Sequence, residues 1–365
     1  MTEILIAISI CMTVLTISDS HSLHEKNCRT KYFRNFVPVN HRVKCIVSIP
    51  YATVKKTYCP FGHAKLNLYK LYSFVMRYMS NCKYLSAGFN LLAFFFLSAI
   101  LTGLLRGLLS DYLSLQLMGV RINYLCGFAS TVFTIWFMMR FVNKRPFSVI
   151  GLSLRNHFHS FVSGIMWAVA IYSGGFAFLA VSNQVNINAI RFDGRSLLLS
   201  FIFYLVVAVK EEITYRGYCI NVLTTSMNKY AAVVISSAIF VFFHRNNAGI
   251  SYLSYFNLFL VGILFSVNYV HTRNLSFSIA LHWFWNWIQG PVLGFGVSGS
   301  HDMRSLFRLA YPNGDNLLNG GTFGFEASVV CTVLCLVGSA ALITQASCPS
   351  ILRKAYHKVR KRHFR

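Results

Sequence analysis

The sequence predicts an all-α protein: a polytopic membrane helix bundle of about eight transmembrane helices built around an intramembrane polar cavity. Three observations carry this reading. Of the 365 residues, 55% are hydrophobic and 12% charged, with a mean hydropathy of +0.52, which is too apolar for a soluble domain of this length. Apolar runs of about 20 residues recur along most of the chain. Adjacent glutamates inside one of those runs, with polar residues in or at the end of two later ones, suit groups that face a cavity rather than lipid.

Taken in order, the first 83 residues stand apart from the bundle. Ile4 to Ile17 is about as long as a signal-peptide core but follows Glu3 with no Lys or Arg before it, so cleaved leader, short anchor and extension all fit. Residues 21–83 hold twelve Lys/Arg and no acidic residue after Glu25. The chain therefore divides into a basic N-terminal extension (1–83), a helix bundle (84–347) and a basic tail (348–365) with seven Lys/Arg. Candidate spans lie near 85–109, 122–142, 158–182, 196–222, 230–243, 249–272, 276–297 and 326–347.

The formal charge of +24 is concentrated at the chain ends. Such ends also suit nucleic acid, but beside apolar spans they are expected on the cytoplasmic face against anionic lipid, so membrane lipids and not nucleic acid are the expected partner. With both termini inside, the inner segments hold 25 Lys/Arg and the outer loops six (Arg121, Arg191, Arg195, Arg245, Arg304, Arg308). The expected location is an integral, multi-pass one: the plasma membrane in a prokaryote, the endoplasmic reticulum in a eukaryote. The ten cysteines show neither C-x-x-C pairs nor regular spacing, which supports no disulfide framework and no zinc knuckle.

The chemistry centres on Glu211 and Glu212, which interrupt the apolar stretch Phe201–Arg216 in a chain with only ten acidic residues. A carboxylate at mid-membrane costs roughly 2.5–3.5 kcal/mol on insertion scales, so two adjacent ones call for a partner or a task. On a helix Glu212 and Arg216 stand at i, i+4 and can pair, whereas Glu211 is turned by about 100° toward a different face. A structural charge network is the alternative reading of these three residues alone. The fifth run, with 14 residues, rises only about 21 Å against a hydrocarbon core of about 30 Å. It is expected to end inside the membrane at His244-Arg-Asn-Asn-Ala-Gly249, a polar break that requires a water-lined or protein-walled cavity.

Two further motifs follow: Phe240-x-x-x-His244, and His282-x-x-x-Asn286 on one face of the seventh run. Rise counted from the inner span ends places Glu211, His244 and Asn286 at roughly 17, 21 and 15 Å, and His282 shallower at roughly 9 Å. His282, flanked by Trp283 and Trp285, also reads as an interface anchor. Two Glu and two His form a plausible zinc set, but no H-E-x-x-H helix is present.

In the order E-E-x-x-x-R, F-x-x-x-H, H-x-x-x-N, on three polar-bearing spans, the chain resembles the CPBP family of intramembrane proteases, which includes the type II CAAX prenyl endopeptidases and the bacterial Abi-type proteins. Phe147-Ser-Val-Ile-Gly-Leu152 is similar to that family's F-x-x-x-G-L entry. The resemblance implies that Glu211 and His244 activate a water, that His282 and Asn286 hold the oxyanion, that Glu212 and Arg216 give structural support, and that neither metal nor other cofactor is needed. It implies an endopeptidase acting on a lipidated or membrane-embedded protein, with prenylated CAAX proteins as one substrate class. Thr214-Tyr215, where an apolar-Phe pair is usual, and Arg-Asn-Asn after His244 depart from the pattern. The rival is a non-enzymatic multi-pass protein, an immunity-like factor or scaffold.

Overall fold

The structure, a computed structural model, describes residues 83–345 apart from 113–114, 118–119, 156 and 302. The basic extension up to residue 82 and the tail at 348–365 lie outside the described residues. α1 (Lys83–Leu108) leads through a short antiparallel ribbon, β1 (Gln116–Leu117) with β2 (Val120–Arg121), into α2 (Ile122–Phe137) and its π-helical end, Met138–Val142. α3 (Phe158–Val181) and β3 (Asn186–Ile190) follow. α4 (Gly194–Glu212) continues through a π-helical stretch, Ile213–Cys219, into α5 (Ile220–Leu223). Then come α6 (Lys229–Phe243), α7 (Tyr252–Thr272), α8 (Ser276–Trp287) with a π-helical end, Ile288–Val292, and β4 (Phe307–Ala310); α9 (Val329–Gln345) closes the bundle.

Each expected span has its helix, with α4 and α5 together filling the fourth. The seventh is shorter than expected: Pro291 lies in its π-helical end, and Gly294 turns the chain away at φ +87°. α1, α2, α3 and α7 are long and apolar enough to cross a membrane, and the protein is an integral membrane protein. Leu92 on α1, Met166 on α3 and Val337 on α9 point outward and exposed, as a lipid-facing surface would.

Local signals explain the helix starts. The Asp193 carboxylate accepts the Ser196 N–H at the head of α4, Asn228 accepts those of Tyr230 and Ala231 before α6, and Ser251 with Ser254 forms a capping box for α7. β3 and β4 pair antiparallel across a bulge, a contact with no local sequence signal because more than 100 residues separate the strands. Two hydrophobic cores result. One joins α1, α2, α5 and α6 around Tyr218 and Leu223, and the other joins α3, α7, α8 and α9 around Tyr172, Phe265 and Trp285.

The Phe147–Leu152 motif has a definite place. Phe147–Ile150 forms a 3₁₀ turn, and Gly151 follows at φ +88°, where a Cβ would come within 2.2 Å of the Arg273 carbonyl. The Gly151 carbonyl accepts the Leu275 N–H at 2.8 Å and the Ser153 carbonyl accepts the Asn274 amide at 2.6 Å, so this segment roofs the α7–α8 turn. Left-handed backbone combined with a backbone clash leaves room only for glycine. Gly151→Ala is expected to destabilise the bundle by about 1–3 kcal/mol or more, read as a lowered unfolding midpoint in detergent; an unchanged midpoint would show that the turn rearranges freely.

Candidate active site

The site is built on the stretch where α4 widens into π-helix. Glu212 is fully buried, and its Oε1 accepts two charged or polarised donors, Arg216 Nη1 at 2.8 Å and His282 Nδ1 at 2.8 Å. Arg216, 1% exposed, also donates from Nε to Ser266 Oγ at 3.2 Å and from Nη2 to the Gly262 carbonyl at 3.0 Å. Its guanidinium lies 5.1 Å from the Phe240 ring centre and 5.4 Å from that of Phe265. Gly262 also permits the close approach of α6 and α7, since a Cβ there would sit 2.8 Å from the Ser237 Cβ. The expected Glu212–Arg216 pair is thus present, extended by His282 to a third helix.

The candidate residues come together. Glu211, His244, His282 and Asn286 all line one cavity of about 940 Å³, with Tyr215 and Phe240 from one core and Val261, Phe265 and Trp285 from the other. Glu211 keeps 24% of its side chain exposed, and its Oε2 lies 3.8 Å from His282 Nε2. His244 Nδ1 is 2.8 Å from the Phe240 carbonyl, which assigns the proton to Nδ1 and leaves Nε2 free. The Asn286 side-chain amide is 6% exposed and makes no hydrogen bond among the described residues, so its donors remain available to the cavity.

Rise counting expected His282 some 8 Å shallower than Glu211. The structure brings the two into contact, and the reason is the α7–α8 turn. Asn274 and Leu275 are 3% and 0% exposed beneath the Gly151 segment, so α8 starts well inside the protein rather than at its surface. His282 lies beside Glu211 through Nε2 and bonds Glu212 through Nδ1.

One participant has no counterpart in the sequence motifs. Glu326, 3% exposed, lines the same cavity; its Oε1 accepts the Trp285 Nε1–H at 3.0 Å and its Oε2 accepts the N–H and hydroxyl of Ser298 at 2.8 and 2.7 Å. It ties the segment after α8 to α8 itself. The available signal was an acidic residue, one of ten in the chain, opening the last apolar run.

The cavity's lining also includes Ser196 at the start of α4, Asn247 and Ala248 after α6, residues 297–301, Met303 and Arg304. Among the described residues no group of three or more His, Cys, Asp or Glu is disposed to hold a metal ion. Residues 193–288, from the α4 cap to the end of α8, match the family model for Type II CAAX prenyl endopeptidase Rce1-like proteins. That segment of the chain is similar to the Rce1-like family. No curated protein matches the chain. The matched segment contains all six residues singled out from the sequence, and the likeness supports a CAAX-type intramembrane endopeptidase at family level.

Because Arg216 and Glu212 are buried together, losing one leaves an uncompensated charge. Arg216→Ala is expected to cost about 3–5 kcal/mol, seen as loss of a cooperative unfolding transition in detergent, with Arg216→Lys intermediate since it keeps the charge without the fork. Equal stability of all three proteins would remove the pair from the structural account.

Proposed function

We propose that this protein hydrolyses a peptide bond of a membrane-associated substrate, with Glu211 and His244 activating a water and His282 and Asn286 binding the oxyanion. The observation that carries the proposal is the meeting of these four side chains on one cavity, where among the described residues the Glu211 carboxylate has an ionic contact with His282 alone. In the proposed reaction Glu211 takes a proton from water while His244, through its free Nε2, orients or shares it. The hydroxide adds to the scissile carbonyl, and the carbonyl oxygen gains negative charge. Asn286 Nδ2–H and His282 Nε2–H donate to that oxygen. Collapse expels the amine, which receives the proton held on Glu211.

For His282 to donate from Nε2 while Nδ1–H bonds Glu212, the ring must be an imidazolium. Glu212 and Arg216 thus act as positioning residues. The walls of Leu199, Phe203, Val207, Phe240 and Phe243 suit an aliphatic or isoprenoid chain, in keeping with a prenylated CAAX-type substrate. The proposed reaction uses no metal ion, since Glu211 and His244 carry the proton transfer. The non-enzymatic reading draws on the same buried network, which joins three helices whether or not chemistry occurs, but leaves the open face of Glu211 and the unbonded Asn286 without a role.

Purified protein in bilayers, offered farnesylated C-a-a-X peptides and a transmembrane peptide library, tests the proposal. Glu211→Gln should insert and fold normally yet lose on the order of 10²-fold or more in hydrolysis, whereas turnover near the native rate would exclude Glu211 as the base. Asn286→Ala should lower kcat far more than it raises KM, because its bond strengthens only as the oxyanion forms; a change confined to KM would place Asn286 in substrate binding instead. Exhaustive chelation should leave activity intact, and inhibition reversed by added zinc would reassign Glu211, His244 and His282 as ligands.

A further inference from the structure

A second concavity, about 520 Å³, adjoins the main cavity and shares Ser196, Met303 and Arg304 with it. Its lining includes three guanidinium groups, those of Arg191, Arg304 and Arg308, and among the described residues one carboxylate, Asp193. That carboxylate is already engaged. Its oxygens accept the Ser196 N–H and hydroxyl at 3.1 and 2.7 Å, and the Arg304 Nη1 reaches it at 3.3 Å. The Ser196 backbone N–H, then its hydroxyl, hold Asp193 below the usual carboxylate range, so it stays ionised.

Arg191 and Arg308 are left without an ion pair among the described residues, although the β3–β4 pairing holds them close: Arg308 faces Ala189 in the ladder, and the Arg191 N–H bonds the Leu306 carbonyl at 2.7 Å. Like charges on adjacent strands oppose folding. A pocket that concentrates them beside the candidate site's cavity has the composition of an anion receptor, since paired guanidinium forks match carboxylate geometry.

Resting on the peptidase reading, we propose that this pocket is a specificity subsite for an acidic side chain of the substrate, distant from the scissile bond. Helix α4 sets the distance. Ser196 at the pocket and Glu211 at the candidate site are 15 residues apart on one helix, about 22 Å along its axis. An extended peptide advances about 3.3–3.6 Å per residue, so the acidic residue lies about six or seven positions from the bond that is cut. A three-residue C-terminal fragment spans only about 10 Å, and its terminal carboxylate falls short of the pocket.

The test uses full-length protein in vesicles of neutral phosphatidylcholine and a set of lipidated peptides carrying one Glu, or Gln as control, at each position from two to ten residues on either side of the scissile bond. Native protein is scored by kcat/KM, and the Glu211→Gln variant by peptide affinity. The expected result is a preference for Glu over Gln of about tenfold at six or seven residues, absent at two or three, and reversed in Arg191→Glu and Arg308→Glu. Hydrolysis of every peptide with no positional preference overturns the subsite and leaves the peptidase reading standing. A positional preference in binding to Glu211→Gln without hydrolysis by native protein supports the subsite and overturns the peptidase. A preference that vanishes in neutral vesicles, with rate set instead by added phosphatidylglycerol, assigns the arginines to lipid phosphate and overturns the proposal.

Discussion

Burying one guanidinium organises this bundle. Arg216 sits where a lone cation would cost several kcal/mol, and the structure offsets that cost from four directions: a carboxylate on its own helix, a hydroxyl and a carbonyl on α7, and the faces of two phenylalanines. The acceptor that neutralises it, Glu212, also holds His282. One ion therefore fixes α4, α7 and α8 relative to one another, and the rotation of α4 that turns Glu212 inward leaves its neighbour Glu211 facing the cavity. The π-helical stretch beginning at Ile213 lies within this network, in keeping with the frequent use of such stretches at functional sites.

What could be read from the sequence follows from the range of each interaction. Glu212–Arg216 was legible because i, i+4 spacing fixes it within a single turn, and the helices were legible because apolar runs need no partner to be seen. The short α6 and its polar terminus were likewise local. His282 was identified but misplaced, since its depth depends on how far the α7–α8 turn sinks, which is decided by a segment more than 120 residues earlier that packs over it. Glu326 escaped notice for a similar reason: its partners Trp285 and Ser298 lie 41 and 28 residues away, across an irregular segment with no periodicity. The β3–β4 ribbon, an addition to a bundle read as all-α, joins two segments that only the finished fold brings side by side.

The cavity has two unlike halves. Around Glu211 and His282 it is walled by the rings of Tyr215, Phe240, Phe265 and Trp285. Elsewhere the walls are polar, made by the turn Val297–Ser300 and by Asn247 and His301. Gly299 lets that turn press against the Ala248 carbonyl, where a Cβ would approach to 2.1 Å. The polar break after α6 thus meets protein rather than hydrocarbon, which is how irregular backbone persists in this setting. Glu326 holds the same turn from below through Ser298.

The roof that Gly151 makes over the α7–α8 turn works as a depth gauge for chemistry performed some distance away. The start of helix α8 is held by the Gly151 carbonyl on the Leu275 N–H and by the Ser153 carbonyl on the Asn274 side-chain amide. Sliding α8 by a single residue would move His282 by about 1.5 Å and swing its ring by about 100°, enough to part it from both glutamates. A short surface motif that touches no reacting group therefore sets the alignment of two helices to within one residue.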